Sequence, residues 1–222
     1  MAVTWVNTNT MQNGTGNFSG SMTVNSGATL AICVVGFADT SQTNISSVTY
    51  GGQTMTAVGA KASLGSGLFN QAQAFYLVNP PTGSNTLAVN FVSSPSAGYY
   101  INLVAFSGND SSTPIRPGTY QAIATTTSTT ADVTITSTTS DITVSLIEID
   151  AVVTTNQTLD GTNTGGAQAG ASDHCTTPAT SVLHSWSVGT TQGYALVGFS
   201  IQPPTSPQDV ITVGQGFTVA IG

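Results

Sequence analysis

Positive charge is almost missing from this chain. Lys61 and Arg116 are its only strong cations among 222 residues, set against nine Asp and Glu, and charged residues make up 5% of the total. An average domain carries about 25%. A nucleic-acid-binding face needs several Lys or Arg to displace counterions, and an anionic membrane surface makes the same demand, so neither is an expected partner. Helical periodicity is missing as well, and no apolar run reaches the length of a membrane span. The opening "MAVTWVNTNTMQNG" has neither a basic n-region nor an apolar h-region, so no signal peptide is expected.

Catalytic signatures are equally scarce. The nucleophile elbow, the zinc-binding H-E-x-x-H, the P-loop and the EF-hand loop are all absent. There are two histidines, His174 and His184, and one glutamate, Glu148. "DHC" at Asp173–Cys175 offers three ligand types in a row, but neighbours on an extended chain point to opposite faces, so the three cannot meet one metal. The segment "GASDHCTTPAT" reads as a polar loop. Most aspartates sit beside strands, where they are expected to bond their own turn backbone. No catalytic residue, cofactor or metal site is expected, and a glycan-cleaving pair of carboxylates is disfavoured. Of two cysteines, Cys33 falls in an apolar strand and Cys175 in the loop-like segment. A bridge between them is left open, although such a pair seldom meets at bridge geometry.

What is present is β-structure. Short apolar–polar alternations recur between Gly, Pro, Asn and Ser clusters, which is the signature of a sandwich or barrel. Strands are expected over Ser21–Val24, Thr29–Phe37, Ser47–Tyr50, Thr54–Val58, Ala72–Val78, Thr86–Val92, Tyr99–Phe106, Asp132–Thr136, Ile142–Ile149, Val182–Val188 and Tyr194–Ile201. Gly51-Gly52 predicts a two-residue hairpin turn, and Pro81 with Gly83 predicts another turn. Val133 and Ile135, then Ile142, Val144 and Leu146, alternate with Thr and Ser, which predicts a hairpin with one apolar face. The phase changes between Leu146 and Ile147, which predicts a bulge there. "ATTTSTT" (residues 124–130) has no pattern and reads as a loop or irregular edge.

The order of elements repeats. "SMTVNSGATLAICVVGF" parallels "DVTITSTTSDITVSLIEI", and "GYYINLVAFSG" parallels "GYALVGFSIQP". The expected fold is all-β: an antiparallel, jelly-roll-like sandwich with two matching halves and a C-terminal extended strand. Two small sandwiches would give the same pattern, with "GNDSSTPIRPG" as the boundary. One domain over 1–204 is preferred, followed by an arm over 205–222. In the arm Ile211, Val213, Phe217, Val219 and Ile221 form an apolar stripe opposite small residues, and are the expected partner-binding residues. Arg116 is expected to pair with Asp110 across the intervening loop. Trp5, Tyr50, Tyr76, Tyr99, Tyr100, Tyr120, Trp186 and Tyr194 are the aromatics from which a sugar-stacking platform would be drawn.

Three pieces, "ISSVTYGGQTMTAVG", "AFYLVNPPTGSNTLAVNFV" and "LVAFSGNDSSTPI", resemble a family of β-sandwich domains found in phage virion proteins and in some bacterial surface proteins. The resemblance covers roughly Ile45–Ile115. It implies a noncatalytic structural or binding module. With the arm and the missing leader, it leads to the expectation of a capsid decoration (cement) protein. Such a protein is made in the host cytoplasm and carried on the virion exterior. The major capsid protein or other virion subunits are the expected partners, and a homo-oligomer the expected state. The alternative is a carbohydrate-binding or adhesion module of a secreted or tail protein.

Overall fold

The structure, a computed structural model, describes residues 2–9, 12–40, 43–64, 69–149, 151, 153–163 and 169–205. The described residues form strands and loops, without a helix. In chain order the strands are β1 (Thr4–Thr8), β2 (Gln12–Gly14), β3 (Phe18–Val24), β4 (Leu30–Asp39), β5 (Ile45–Tyr50), β6 (Gln53–Thr54), β7 (Thr56–Ala57) and β8 (Ala62–Ser63). They continue with β9 (Phe69–Val78), β10 (Gly83–Phe91), β11 (Gly98–Ser107), β12 (Gln121–Thr136), β13 (Ile142–Ile149), β14 (Val153–Thr155), β15 (Thr158–Asn163), β16 (Ala169–His174) and β17 (Ser181–Ile201).

Three antiparallel sheets stack face to face. The middle sheet runs β1-β11-β4-β9-β7, one outer sheet runs β3-β10-β5-β6, and the other runs β12-β17-β13-β16-β15. Alternation along each strand decides which core a residue joins. On β4, Ala31, Cys33, Val35 and Phe37 face the first outer sheet, meeting Val24, Val48, Tyr50, Leu87 and Val89. Leu30, Ile32 and Val34 point the other way, against Ile142, Val144, Leu146, Val197 and Phe199. The middle sheet is therefore buried on both faces, which is why "LAICVVGF" is apolar without alternation. Each fully buried Leu, Ile, Val or Phe contributes about 1.5–3 kcal/mol by leaving water.

The third sheet folds over itself. β12 pairs with β17 from end to end, from Gln121↔Gly198 to Thr136↔Ser181, with register shifts between Thr125 and Thr130. Such irregularities bend strands. The far ends of the ribbon, joined by β14, cover a third core of Val133, Ile135, Ile147, Ile149, Trp186, Val188 and Leu196. The fold-back is tight: a Cβ added at Gly198 would lie 2.8 Å from Ile135 Cδ1.

The sandwich architecture and the turns agree with the sequence. Gly51 and Gly52 have φ of +55° and +79° and join β5 to β6, and Gly83 has φ of +85°. The expected hairpin of β12 with β13, and its counterpart of β3 with β4, do not form, however. β3 and β4 lie in different sheets, and β17 separates β12 from β13. What repeats is the pairing of the long apolar strand with the later one, β4 with β11 and β13 with β17. Nor is there a bulge at Leu146–Ile147, since β13 keeps one register with β17 from Ile142 to Ile149. The change of phase arises because β13 is buried on both faces. Residues 124–130 are strand rather than loop, their hydrogen bonds supplied by β17. Cys33 and Cys175 are free and buried in different parts of the fold.

Arg116 pairs with Asp141, not Asp110. Its Nε and Nη2 donate to Asp141 Oδ2 and Oδ1 at 2.5 and 2.7 Å. Asp110 is already engaged by its own turn, accepting from the amides of Ser112 and Thr113. The connecting loop is tied down rather than free: Asp110 N donates to Gln202 O, and Arg116 N to Ser200 O. Burial pushes the Asp141 carboxyl up, but hydrogen bonds from Arg116, Ser200 and Thr138 outweigh it and leave it below its ordinary value. A depressed folded value means that the stabilisation is complete above the unfolded pKa of about 3.9 and is lost as pH falls through the folded one. Asp141→Asn should cost about 2–3 kcal/mol near neutrality, since Asp141 is fully buried while Arg116 keeps 28% of its side chain in water. The gap in melting temperature between the two proteins should narrow below about pH 4. A gap that stays constant down to pH 2 contradicts this linkage.

Candidate functional site

The chemistry-bearing side chains gather around β16, the strand that the sequence presents as a polar loop. Asp173 and His174 are tolerated in this buried strand because their hydrogen bonds are made internally. Alternation sends Gly170 and His174 toward the middle sheet, where they meet Tyr100 and Phe106, and sends Ala171 and Asp173 outward. Two histidine–carboxylate pairs result, one on each face. Asp173 and His174 thus diverge as expected, and among the described residues no three His, Cys, Asp or Glu group as a metal site.

On the outward face Asp173 Oδ1 accepts from His184 Nδ1 at 2.7 Å and from Ser145 Oγ at 2.6 Å, and Oδ2 accepts from Thr155 Oγ1. His184 Nε2 lies 2.8 Å from Thr143 Oγ1, and Trp186 Nε1 donates to Ser145 Oγ at 3.0 Å. A carboxylate can only accept, so Nδ1 carries the hydrogen and, in the neutral ring, Nε2 accepts from Thr143. The connectivity acid–imidazole–hydroxyl is that of a nucleophilic relay. Here Asp173, His184 and Thr143 are all fully buried, and the relay fastens β13, β14, β16 and β17 together. Cys175 Sγ extends it by accepting from Thr143 N at 3.2 Å. The one sequence signal was the alternation of Val182, His184 and Trp186, which places all three on a common face.

On the inward face, at the seam between the edges of two sheets, His174 Nδ1 lies 2.8 Å from Asp160 Oδ1. Thr8 Oγ1 donates to the same oxygen at 3.1 Å, and Trp5 Nε1 donates to Thr8 Oγ1 at 3.3 Å. The Trp5 and His174 rings are offset-stacked, with centroids 6.0 Å apart and planes 9° apart, and Phe106 meets His174 edge-on. Burial pushes the Asp160 carboxyl up from its ordinary value, against the pull of His174 and Thr8.

The candidate aromatics now separate. Tyr50, Tyr99, Tyr100, Trp186 and Tyr194 are buried, and Tyr76 and Tyr120 half-buried, whereas Trp5 is 46% exposed. The stripe of Ile211, Val213, Phe217, Val219 and Ile221 lies outside the described residues, as does all of the expected arm beyond Thr205. In comparisons with protein-family models, curated proteins and solved structures, nothing matches the chain.

Proposed function

We propose that this chain is a noncatalytic structural protein of a phage virion exterior, a capsid decoration protein that stabilises the shell through shape and apolar contact. The observation that carries the reading is the use of its reactive groups. His184, Asp173 and Thr143 are sealed inside a sheet as a fastening, while an almost uncharged Thr, Ser and Asn surface is left outside. The resemblance over Ile45–Ile115 supports the same class. Attachment is assigned to the apolar stripe of Ile211, Val213, Phe217, Val219 and Ile221, pairing by strand addition with a neighbouring copy or a capsid subunit.

The test is copurification with capsids of the phage that carries the gene. The full chain should associate at fixed stoichiometry, and with so few charges its affinity should change less than about twofold between 0.1 and 1 M salt. A chain ending at Pro204 should keep its melting temperature and lose the capsid. No association of the full chain, or unfolding of the truncated one, overturns the reading.

A further inference from the structure

We propose that the open face of Trp5 is a stacking site for the ring of a neutral sugar. Trp5 is the largest of the exposed apolar side chains, and it is not loose. Its indole N–H is taken up by Thr8, and its ring rests on His174. His174 is fixed by Asp160, Asp160 is held by Thr8, and Phe106 braces the imidazole from within. The three polar side chains and the indole close a circuit, so the cost of ordering an aromatic platform is met before any ligand arrives. The register of β1 against β11 shifts between Trp5 and Asn7, an irregularity of the kind that re-aims a side chain at an edge.

The ligand class follows from what the platform lacks. With its N–H consumed, the indole offers a bare π-face, which suits a partner presenting C–H bonds over a broad flat area. A pyranose ring does so and keeps its hydroxyls at the rim. Thr158, exposed, lies opposite His174 in the β15–β16 register. An anionic ligand is disfavoured by the net charge of −7. Arg116 is committed to Asp141, and Lys61 Nζ donates to Thr43 O and Gln71 Oε1. Nucleotides, which would also stack, carry phosphates that this surface cannot neutralise. The inference does not rest on the capsid reading, and a chain that ignores capsids can still bind sugar.

The chain has two tryptophans, and Trp186 is fully buried, so quenching of indole fluorescence by acrylamide reports on Trp5. A panel of neutral oligosaccharides built on glucose, galactose, mannose and N-acetylglucosamine should include at least one that protects Trp5 saturably. Polygalacturonate should bind at least about tenfold more weakly, and Trp5→Ala should weaken the neutral ligand by at least about the same factor. Trp5→Tyr, which keeps a ring on His174, should retain measurable binding and decides the matter if Trp5→Ala fails to fold. The proposal is overturned if no neutral saccharide protects Trp5, if binding survives Trp5→Ala unchanged, or if the anionic polymer binds as well. In the first case Trp5 serves only to cover the His174–Asp160 pair.

Discussion

Gly170→Ala should lower stability by about 3 kcal/mol or more, or about 6–12 °C in melting temperature for a chain of this size. The reason is the ring of Tyr100, which crosses the space between the middle sheet and the third sheet. A Cβ at Gly170 would lie 1.6 Å from Tyr100 Cε1, and one at Gly36, on the other side, 1.9 Å from the same atom. Neither glycine has a positive φ in the structure, so what each provides is room rather than backbone freedom. The ring cannot swing away, because Tyr100 is fully buried and its hydroxyl donates to Ile147 O. Burial, and after it the charge of Glu148, holds that phenol well above its ordinary pKa, so it remains a donor. Denaturant unfolding of Gly170→Ala in wild-type and Tyr100→Ala backgrounds provides the check. The penalty should largely vanish once the ring is gone, and an equal penalty in both backgrounds would mean that the ring is not the obstacle.

Asp173→Ala should be comparably severe, at about 3–5 kcal/mol. It strands Ser145 Oγ and His184 Nδ1 in the interior and takes the acceptor from the half-buried Thr155 Oγ1. Asp173→Asn keeps one carbonyl oxygen for His184 and Ser145, and its amide can donate to the Thr155 hydroxyl, so it should lose only about 1 kcal/mol. Chemical denaturation of the three proteins, with near-ultraviolet circular dichroism of Trp186 as the packing probe, tests the order. If Asn and Ala are equally damaging, the charge itself is needed rather than the network.

Most strands were legible, because alternation and turn residues are local. β13 falls at its expected bounds, and the Gly51-Gly52 turn is where two positive φ values are required. Partnership was not legible, because it is a property of the whole stack. The apolar run of β4 signals burial on both faces, and in β13 the same burial produces a change of phase that looks like a bulge, since one strand shows its phase but not how many layers enclose it. Thr-rich residues 124–130 carry no pattern because β12 is largely exposed on both faces there; β17 makes them strand by pairing alone. Asp173 and His174 read as loop because polarity usually marks exposure, and a satisfied buried network inverts that rule. For Arg116, nearness in sequence favoured Asp110, but Asp110 is spent on its own turn.

The middle sheet, enclosed on both sides, sets an order of events during synthesis. β4, β9 and β11 are complete by Ser107, and together with β3, β5 and β10 they can close the first core at once. Their other face, carrying Leu30, Ile32, Val34, Val104 and Phe106, waits for Val197, Phe199 and Ile201 on β17. At ordinary rates of translation that face stays wet for about 5–20 s. In that interval a ribosome-bound chain presents a half-built surface to every other nascent copy nearby. A stop codon placed before Ser181 therefore yields a sticky fragment rather than a small stable domain.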